Sequence, residues 1–416
     1  MNIPVFQDDT LAIHNDSYYH LKLAENITLG NGFSSCSTEP FYKNTIITPG
    51  YPYFLASVQS LFGKDLRIII GIQVLIDLLI CWLLFLLSKS LFNRKVGLLA
   101  VLFYSVSSHA ITYSGLAITE SVFSLVLLLT VYVGINAHKK YDFLLLAVLY
   151  GLLVSIRPIA FYLLPIIGFM AIKDNTMKQI LRGVATVMIG GLIVFTWMSR
   201  NHSLTGLYSI SSIQEYNLYF TFANAIESRN NNRHENDQRE ILMSGMEHKP
   251  LAECGGDYAY VQESRRKGLE ILRSNKLQYA WLHFKSIPNM FLPEVTLLSE
   301  KWGLSSGDKG TLGVINKEGF WAGFKHYSNH TKIGYVVMLP FILIWMITLL
   351  AAGVGILKFK KKEWQSGGSI ILLIIFYFMI IPGPAGNGRF LMPVIPLICM
   401  IAALGVSKLN FKYGRV

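Results

Sequence analysis

Charge is what this chain of 416 residues has least of. Asp, Glu, Lys and Arg make up 15% of it, against about a quarter in a water-soluble protein. That shortfall excludes an ordinary soluble enzyme and a disordered chain. Cysteine is scarce too, with four in all, which excludes a disulfide scaffold. There is no GxGxxG and no phosphate-binding Gly-Lys-Ser/Thr loop, so soluble-nucleotide chemistry has no address, and no CxxC or HExxH spacing marks a metal site. One GxSxG match, Gly303-Leu-Ser305-Ser-Gly307, sits between Glu300-Lys-Trp and Asp308-Lys-Gly. A hydrolase elbow needs a strand before it and a helix after it, and these flanks read as a flexible turn. What the chain does have is apolar sequence: 52% of residues are hydrophobic and the mean hydropathy is +0.42. The apolar residues come in blocks separated by short polar stretches. At ~20 apolar residues per bilayer crossing, this is an all-α polytopic membrane protein.

Spans are expected near 68–88, 96–114, 120–137, 143–156, 158–172, 183–198, 333–357, 367–381 and 389–407. They divide the chain into a first external loop, 1–67, with an acidic motif and an interfacial helix; six spans in 68–198; an external helical loop, 199–332; and three spans with the C-terminus in 333–416. One alternating set of short connections plus the C-terminus carries fifteen basic residues against Asp142, Asp174 and Glu363, a net +12 that equals the charge of the whole chain. By the positive-inside rule that face is cytoplasmic, which makes nucleic-acid binding an unnecessary explanation. The C-terminus is then cytoplasmic, and 1–67 and 199–332 lie outside the inner (plasma) membrane. The stretches 143–156 and 158–172 are short for a ~30 Å core. A single helix kinked at Pro158 would move Lys173, Lys178 and Arg182 to the outside, so two short spans meeting at Ile156-Arg157-Pro158 are expected. Arg157 then faces a wet cavity, because arginine in lipid is costly. Met1 opens directly into external-looking sequence, so a further helix upstream is expected. Cys81 and Cys399 fall inside spans as core residues, whereas Cys36 and Cys254 are both external and free to pair.

Carboxylates in the external N-terminal segment and inside or beside spans are the candidates for chemistry. Asp16 precedes a helical pattern with Tyr19, Leu23 and Ile27 on one face, and its simplest role is an N-cap. Glu120 follows Thr119 where one span ends externally and the next begins, and it also suits the positive end of a helix dipole. Asp77 lies mid-span and reads as a buried polar contact between helices. Pro49, Gly50 and Pro52 demand a sharp turn, which leads into an amphipathic stretch ending at Phe62 that is suited to the membrane interface. Sequons at Asn15, Asn26, Asn201 and Asn329 all fall on the external side.

The order Asp16-x-x-Tyr19, Ala24-x-Asn26, Gly30-x-Gly32-Phe33-Ser34 and Pro49-Gly50-Tyr51-Pro52-x-Phe54-Leu55-Ala56 resembles the first external loop of bacterial family 39 glycosyltransferases. These have the GT-C membrane fold, with the protein O-mannosyltransferases and the lipid A aminoarabinose transferase as relatives. The resemblance continues through Leu91-Phe92-Asn93-Arg94, Tyr113-Ser114-Gly115, Thr119-Glu120, Arg157-Pro158, Arg200-Asn201, Tyr216-Asn217-Leu218-Tyr219 and Arg389-Phe390 with Pro393 and Pro396. It is carried by their order and membrane placement rather than by one motif. The loop 220–332 matches loosely, as a helical region ending near an amphipathic stretch, 264–292.

The resemblance implies a sugar moved with inversion from a polyprenyl-phosphate donor to a lipid, glycan or protein acceptor on the extracytoplasmic face. Asp16 would be the general base, with Glu120 beside it orienting the acceptor or sharing the proton. Arg157, Arg389 and Lys43 would meet the donor phosphate, whose charge grows in the transition state. Tyr19, Tyr51 and Asn217 would contact substrate. No cofactor is required, and a divalent ion bridging Asp16 and the phosphate has no ligand cluster behind it. One departure is Thr48, which stands where family members often carry a basic residue before the Pro-Gly turn. Other classes remain: an envelope polysaccharide polymerase or ligase, a non-enzymatic assembly protein, or a secondary transporter. The last should show internal repeats, and none is visible.

Overall fold

The computed structural model describes residues 8–136, 140–172, 174, 176–248, 258–304, 314, 318–331, 333–361 and 364–408. Among them there is no strand. Every expected apolar stretch is helical: Leu66–Leu91, Arg94–Ser105 with Ser108–Ser114, Glu120–Asn136, Asp142–Ile156, Pro158–Leu163 with Leu164–Met170, Met177–Thr205, Ile333–Leu357, Ser369–Ile380 and Gly388–Ser407. Four of these are long and apolar enough to cross a membrane unaided, and a fifth is the pair Arg94–Ser105 and Ser108–Ser114, bent by 60°. The expected single span 96–114 is thus broken, at Val106-Ser107. The expected span 183–198 is part of a longer helix that runs on to Thr205.

Gly388–Ser407 is the axial helix, with 83% of its most apolar stretch buried against 22% for Met177–Thr205. Small residues let it touch a neighbour backbone to backbone. A Cβ on Gly405 would lie 2.0 Å from the Ala351 carbonyl oxygen, and one on Gly355 would lie 2.1 Å from that of Ile401. Where lipid removes the hydrophobic drive between helices, such close approach is what holds them.

At Arg157 the chain reverses. Its backbone is extended, with φ −141° and ψ 126°, and the Tyr150 hydroxyl donates to the Phe161 carbonyl at 2.7 Å. Eleven residues of continuous helix would separate those two by ~16 Å, so a hairpin, not a kinked helix, joins Asp142–Ile156 to Pro158–Met170. Asp77 accepts from Tyr104 Oη at 3.0 Å and from Ser121 Oγ at 3.4 Å, a polar link between neighbouring helices.

The segments between the apolar helices are stitched to one another. In the first loop Asn26 Nδ2 donates to the Ser34 and Cys36 carbonyls at 2.7 and 2.9 Å, folding 30–36 back over Asn15–Leu29. Gly30 and Gly32 make that turn at φ +82° and +80°. In the long loop Asn201 Nδ2 donates to the carbonyls of Ser209 and Ile210, and the Ser212 N–H donates to the Thr45 carbonyl at 2.8 Å. A small second core of Tyr219, Phe220, Leu242, Tyr260 and Val261 packs the long-loop helices. Asn26 and Asn201, two of the sequon asparagines, are buried with their side chains engaged. Gly303 of the GxSxG match follows the helix Thr296–Lys301, so no strand precedes it; Ser305 to Gly307, and Cys254 of the possible Cys36–Cys254 pair, lie outside the described residues.

Candidate active site

Four side chains from four separate elements converge. Arg389 Nη1 donates to Asp16 Oδ2, and Arg389 Nε donates to Glu120 Oε1. Arg157 Nη1 donates to the same Glu120 oxygen at 2.9 Å. Two carboxylates and two guanidinium groups therefore form one network whose charges cancel.

Each is placed by local structure. Asp16 sits in the first turn of Asn15–Leu29, where the helix dipole favours a carboxylate. It is not the N-cap: His14 takes that position, and its N–H donates to Ser17 Oγ at 2.9 Å. Glu120 opens the helix Glu120–Asn136. The preceding turn is fixed by Gln73 Nε2, which donates to the Leu116 carbonyl at 2.5 Å, and by the Ala117 N–H, which donates to the Ala12 carbonyl. Arg157 stands at the hairpin tip, its guanidinium 5.7 Å from the ring centroids of both Phe123 and Phe390, which stabilises a cation in a dry place. Thr48 Oγ donates to the Ile156 carbonyl at 3.0 Å, satisfying a helix end right beside Arg157. That is the role of the residue standing where a cation was expected. Gly50 lets the Pro-Gly turn press on the same helix end, since a Cβ there would meet Ser155 Oγ at 2.6 Å. Arg389 begins the axial helix, with its N–H donating to the capping Asn387 side chain at 3.1 Å.

Exposure separates the two carboxylates. The Asp16 side chain is 44% exposed, whereas that of Glu120 is wholly enclosed, with Arg157 at 10% and Arg389 at 21%. Burial pushes the Asp16 carboxyl up, but the charge and hydrogen bond of Arg389 outweigh it and hold the group below its ordinary range. His20, one turn beyond Asp16, is pushed down by burial to about 4 and is neutral. His14 is likewise lowered, by burial and then by Arg389.

The remaining expected residues fall differently. Tyr19 shares the face of Asp16 and is partly exposed, edge-on to Tyr18. Tyr51 is fully buried: its hydroxyl donates to Gln73 Oε1 at 2.7 Å and its ring packs against His20 at 5.0 Å. It is a support beneath the cluster and presents no surface to a substrate. Lys43 is exposed on the first loop, where its carbonyl accepts from Tyr258 Oη, and the structure does not bring it to the four-residue network. Asn217 lies on the long loop, with its side-chain oxygen accepting from Thr221 at 3.3 Å.

Sequence reasoning missed a second layer. Tyr113 Oη donates to Glu294 Oε2 at 2.8 Å. Gly388, next to Arg389, leaves room for Glu294 and His109, which lie 3.4 and 3.3 Å from where its Cβ would be. Lys301 is buried, with Nζ donating to the Gly115 carbonyl at 2.8 Å. Burial raises the Glu294 carboxyl and lowers the Lys301 amine to about 7. No spacing announces Glu294, which is 181 residues from its partner Tyr113. Among the described residues no three His, Cys, Asp or Glu side chains are grouped closely enough to hold a metal ion.

The chain resembles known proteins in two ways. Residues 47–200 match the family model of the dolichyl-phosphate-mannose-protein mannosyltransferases, a stretch that holds Glu120 and Arg157 but not Asp16 or Arg389. A search of curated proteins finds no match. Among solved structures, the oligosaccharyltransferase of Archaeoglobus fulgidus in complex with zinc and sulfate aligns with 97% of this chain at 13% identity and a TM-score of 0.50. The same enzyme tethered by a disulfide to an acceptor peptide bearing the NVT sequon aligns with 97% at 14% identity and a TM-score of 0.51. In each case the chain spans 48% of the length of the protein it matches. At that identity the likeness is one of fold: this is a membrane protein, helical throughout its regular structure among the described residues, and built like the archaeal oligosaccharyltransferase.

Proposed function

We propose that the chain is a membrane glycosyltransferase of GT-C type. It takes a sugar from a polyprenyl-phosphate donor and passes it, with inversion, to an acceptor on the extracytoplasmic face. The observation that carries this is the convergence of Asp16, Glu120, Arg157 and Arg389 at the end of the axial helix, in a fold and beside a family match that both point to sugar transfer.

The geometry supports the following division of roles. Asp16 is the carboxylate with open surface, so it is the one able to take the acceptor proton as the hydroxyl attacks the anomeric carbon. Glu120 is enclosed and bonded to two arginines, so it positions those cations rather than touching an acceptor. Arg389 and Arg157 meet the leaving phosphate as its charge grows. A carboxylate held by a guanidinium is a weak base, and in this state Asp16 is so held. A donor phosphate drawing Arg389 towards itself would loosen that pair and raise the basicity of Asp16 at the moment the base is needed. Tyr19, on the same face, is available to line the acceptor side, while Lys43 and Asn217 have no part in this core arrangement.

The test is transfer of radiolabelled sugar from polyprenyl-phosphate donors to membrane acceptors by the wild type and by Asp16→Asn. Transfer abolished at unchanged membrane expression supports both the class and the base. Transfer that survives keeps the class and removes Asp16 from the role. No transfer from any donor by the wild type, within its full native chain, favours the polymerase or assembly-protein reading.

A further inference from the structure

The helix Lys276–Ser286 has two unlike sides. One is clasped to the membrane bundle. His283 Nε2 donates to the Ile380 carbonyl at 2.6 Å, and Ser286 Oγ donates to the Gly383 carbonyl at 2.6 Å. Gly383, at φ +54°, leaves room for the His283 ring, which lies 2.8 Å from where its Cβ would be. Met290, just beyond the helix, packs in the same way on Gly386. These contacts seize the turn that follows the apolar helix Ser369–Ile380, so Lys276–Ser286 lies at the level where that helix ends.

The other side is apolar and uncovered. Leu277, Trp281 and Phe284 are 89%, 65% and 62% exposed. Their spacing of four and then three residues puts them on one stripe, which exposed Ala280 and Pro288 extend. Water is a poor neighbour for such a stripe. Exposed Lys276 and Lys285 flank it on either side at helical spacing. A tryptophan-bearing apolar face bordered by lysines matches the headgroup layer of a bilayer: rings enter the boundary, ammonium groups reach up to lipid phosphates, and anionic lipid adds attraction.

We infer that Lys276–Ser286 is an interfacial helix that lays Leu277, Trp281 and Phe284 into an anionic lipid surface. Its opposite side grips the 380–386 turn, and three residues beyond that turn stands Arg389. The bilayer surface, through this helix, thus sets the height of the turn from which the central arginine of the polar network emerges. The inference rests on the helix, its exposed face and its anchorage, and it holds whatever reaction the network performs.

The experiment uses the full chain in nanodiscs containing phosphatidylglycerol. Spin labels are attached at Leu277→Cys, Trp281→Cys and Phe284→Cys in a background without the native cysteines. Gln278→Cys, whose native side chain donates to Asn230, is the control. The expected result is an oxygen-to-nickel accessibility ratio several-fold higher at 277, 281 and 284 than at 278. Equal ratios at all four positions would overturn the inference, as would labels at the three positions shielded from both reagents, which would mean that protein covers the face. A second measurement avoids the cysteine background. Lipids brominated near the carbonyl should quench wild-type tryptophan fluorescence more than that of Trp281→Phe. Identical quenching in the two proteins would equally overturn it.

Discussion

At the scale of single residues, the network explains why its members are not interchangeable. On the proposed reading, Asp16→Asn keeps the shape but removes the proton acceptor, and loss of a general base costs roughly 10²–10⁴ in rate. The prediction is a fall of that size in kcat with normal membrane yield. Glu120→Gln should act differently. It leaves Arg157 and Arg389 buried or half-buried without their shared counter-charge, and breaking a buried pair costs ~3–5 kcal/mol. The expected outcome is a large loss of folded protein in detergent, read by thermal unfolding; a stable, fully active Glu120→Gln would contradict it. The Asp16–Arg389 pair also makes a pH statement. With Asp16 held below its ordinary range in the free protein, the acid limb of kcat/KM should lie at lower pH than the acid limb of kcat at saturating donor, where the phosphate competes for Arg389. Coincident limbs would show that the donor leaves the pair intact.

Lys301 supplies a stability prediction of definite sign. Burial lowers its amine to about 7, against ~10.4 in an unfolded chain. Between those values the unfolded chain binds more protons than the folded one, so stability rises with pH across that window, by at most ~1.4 kcal/mol per pH unit. Lys301→Met, measured by thermal unfolding from about pH 7 to 9, should flatten that rise. An undiminished slope would mean that another group produces it.

At the scale of elements, the decisive joint is between the Pro49-Gly50 turn and the end of Asp142–Ile156. Thr48 and Gly50 bind that helix end from outside, and Arg157 follows directly. Gly50→Ala would set a Cβ 2.6 Å from Ser155 Oγ and 2.8 Å from the Ser155 carbonyl carbon. Overpacking of this kind costs ~1–3 kcal/mol. Because the backbone clash and a third one, with Ile156 Cγ1 at 2.9 Å, would remain, the double variant with Ser155→Ala should recover little of that stability. The helices themselves were legible from apolar runs, since backbone polar groups in lipid leave few alternatives. The break at Val106-Ser107 was not, because no Pro or Gly marks it. It follows from tertiary contacts: Tyr113 reaches Glu294, and Lys301 reaches the Thr112 and Gly115 carbonyls. Those contacts draw Ser108–Ser114 out of line with the helix before it.

At the scale of the whole molecule, the first loop, the long loop and the axial helix meet at one place. The carboxylate of residue 16 is joined to the guanidinium of residue 389 across 373 positions of sequence. The charge distribution predicts that this assembly faces the outer side of the membrane, and that proposed orientation is open to test. Fusions of a periplasm-dependent phosphatase within 199–332 should be active and those after Ser407 inactive, with a cytoplasm-dependent fluorescent protein giving the reverse. The opposite pattern would turn the molecule over and put Asp16 on the cytoplasmic face.

The sequence by itself determined the solvent and the class of fold, because apolar runs and one-sided basic charge are properties of composition and order. It also nominated Glu120, Arg157 and Arg389, since a charged residue at the edge of an apolar run carries an energetic cost that sets it apart, whereas Asp16 was nominated by its place in the motif order that resembles the family 39 first loop. Only the tertiary structure decided which of them share a hydrogen bond, which carboxylate is open and which enclosed, and that Tyr51 is buried support. It alone brought in Glu294, Lys301 and the lowered basicity of His14 and His20. The physical reason is that desolvation and pairing depend on distance in space, and residues far apart in the chain acquire that distance only when the helices pack.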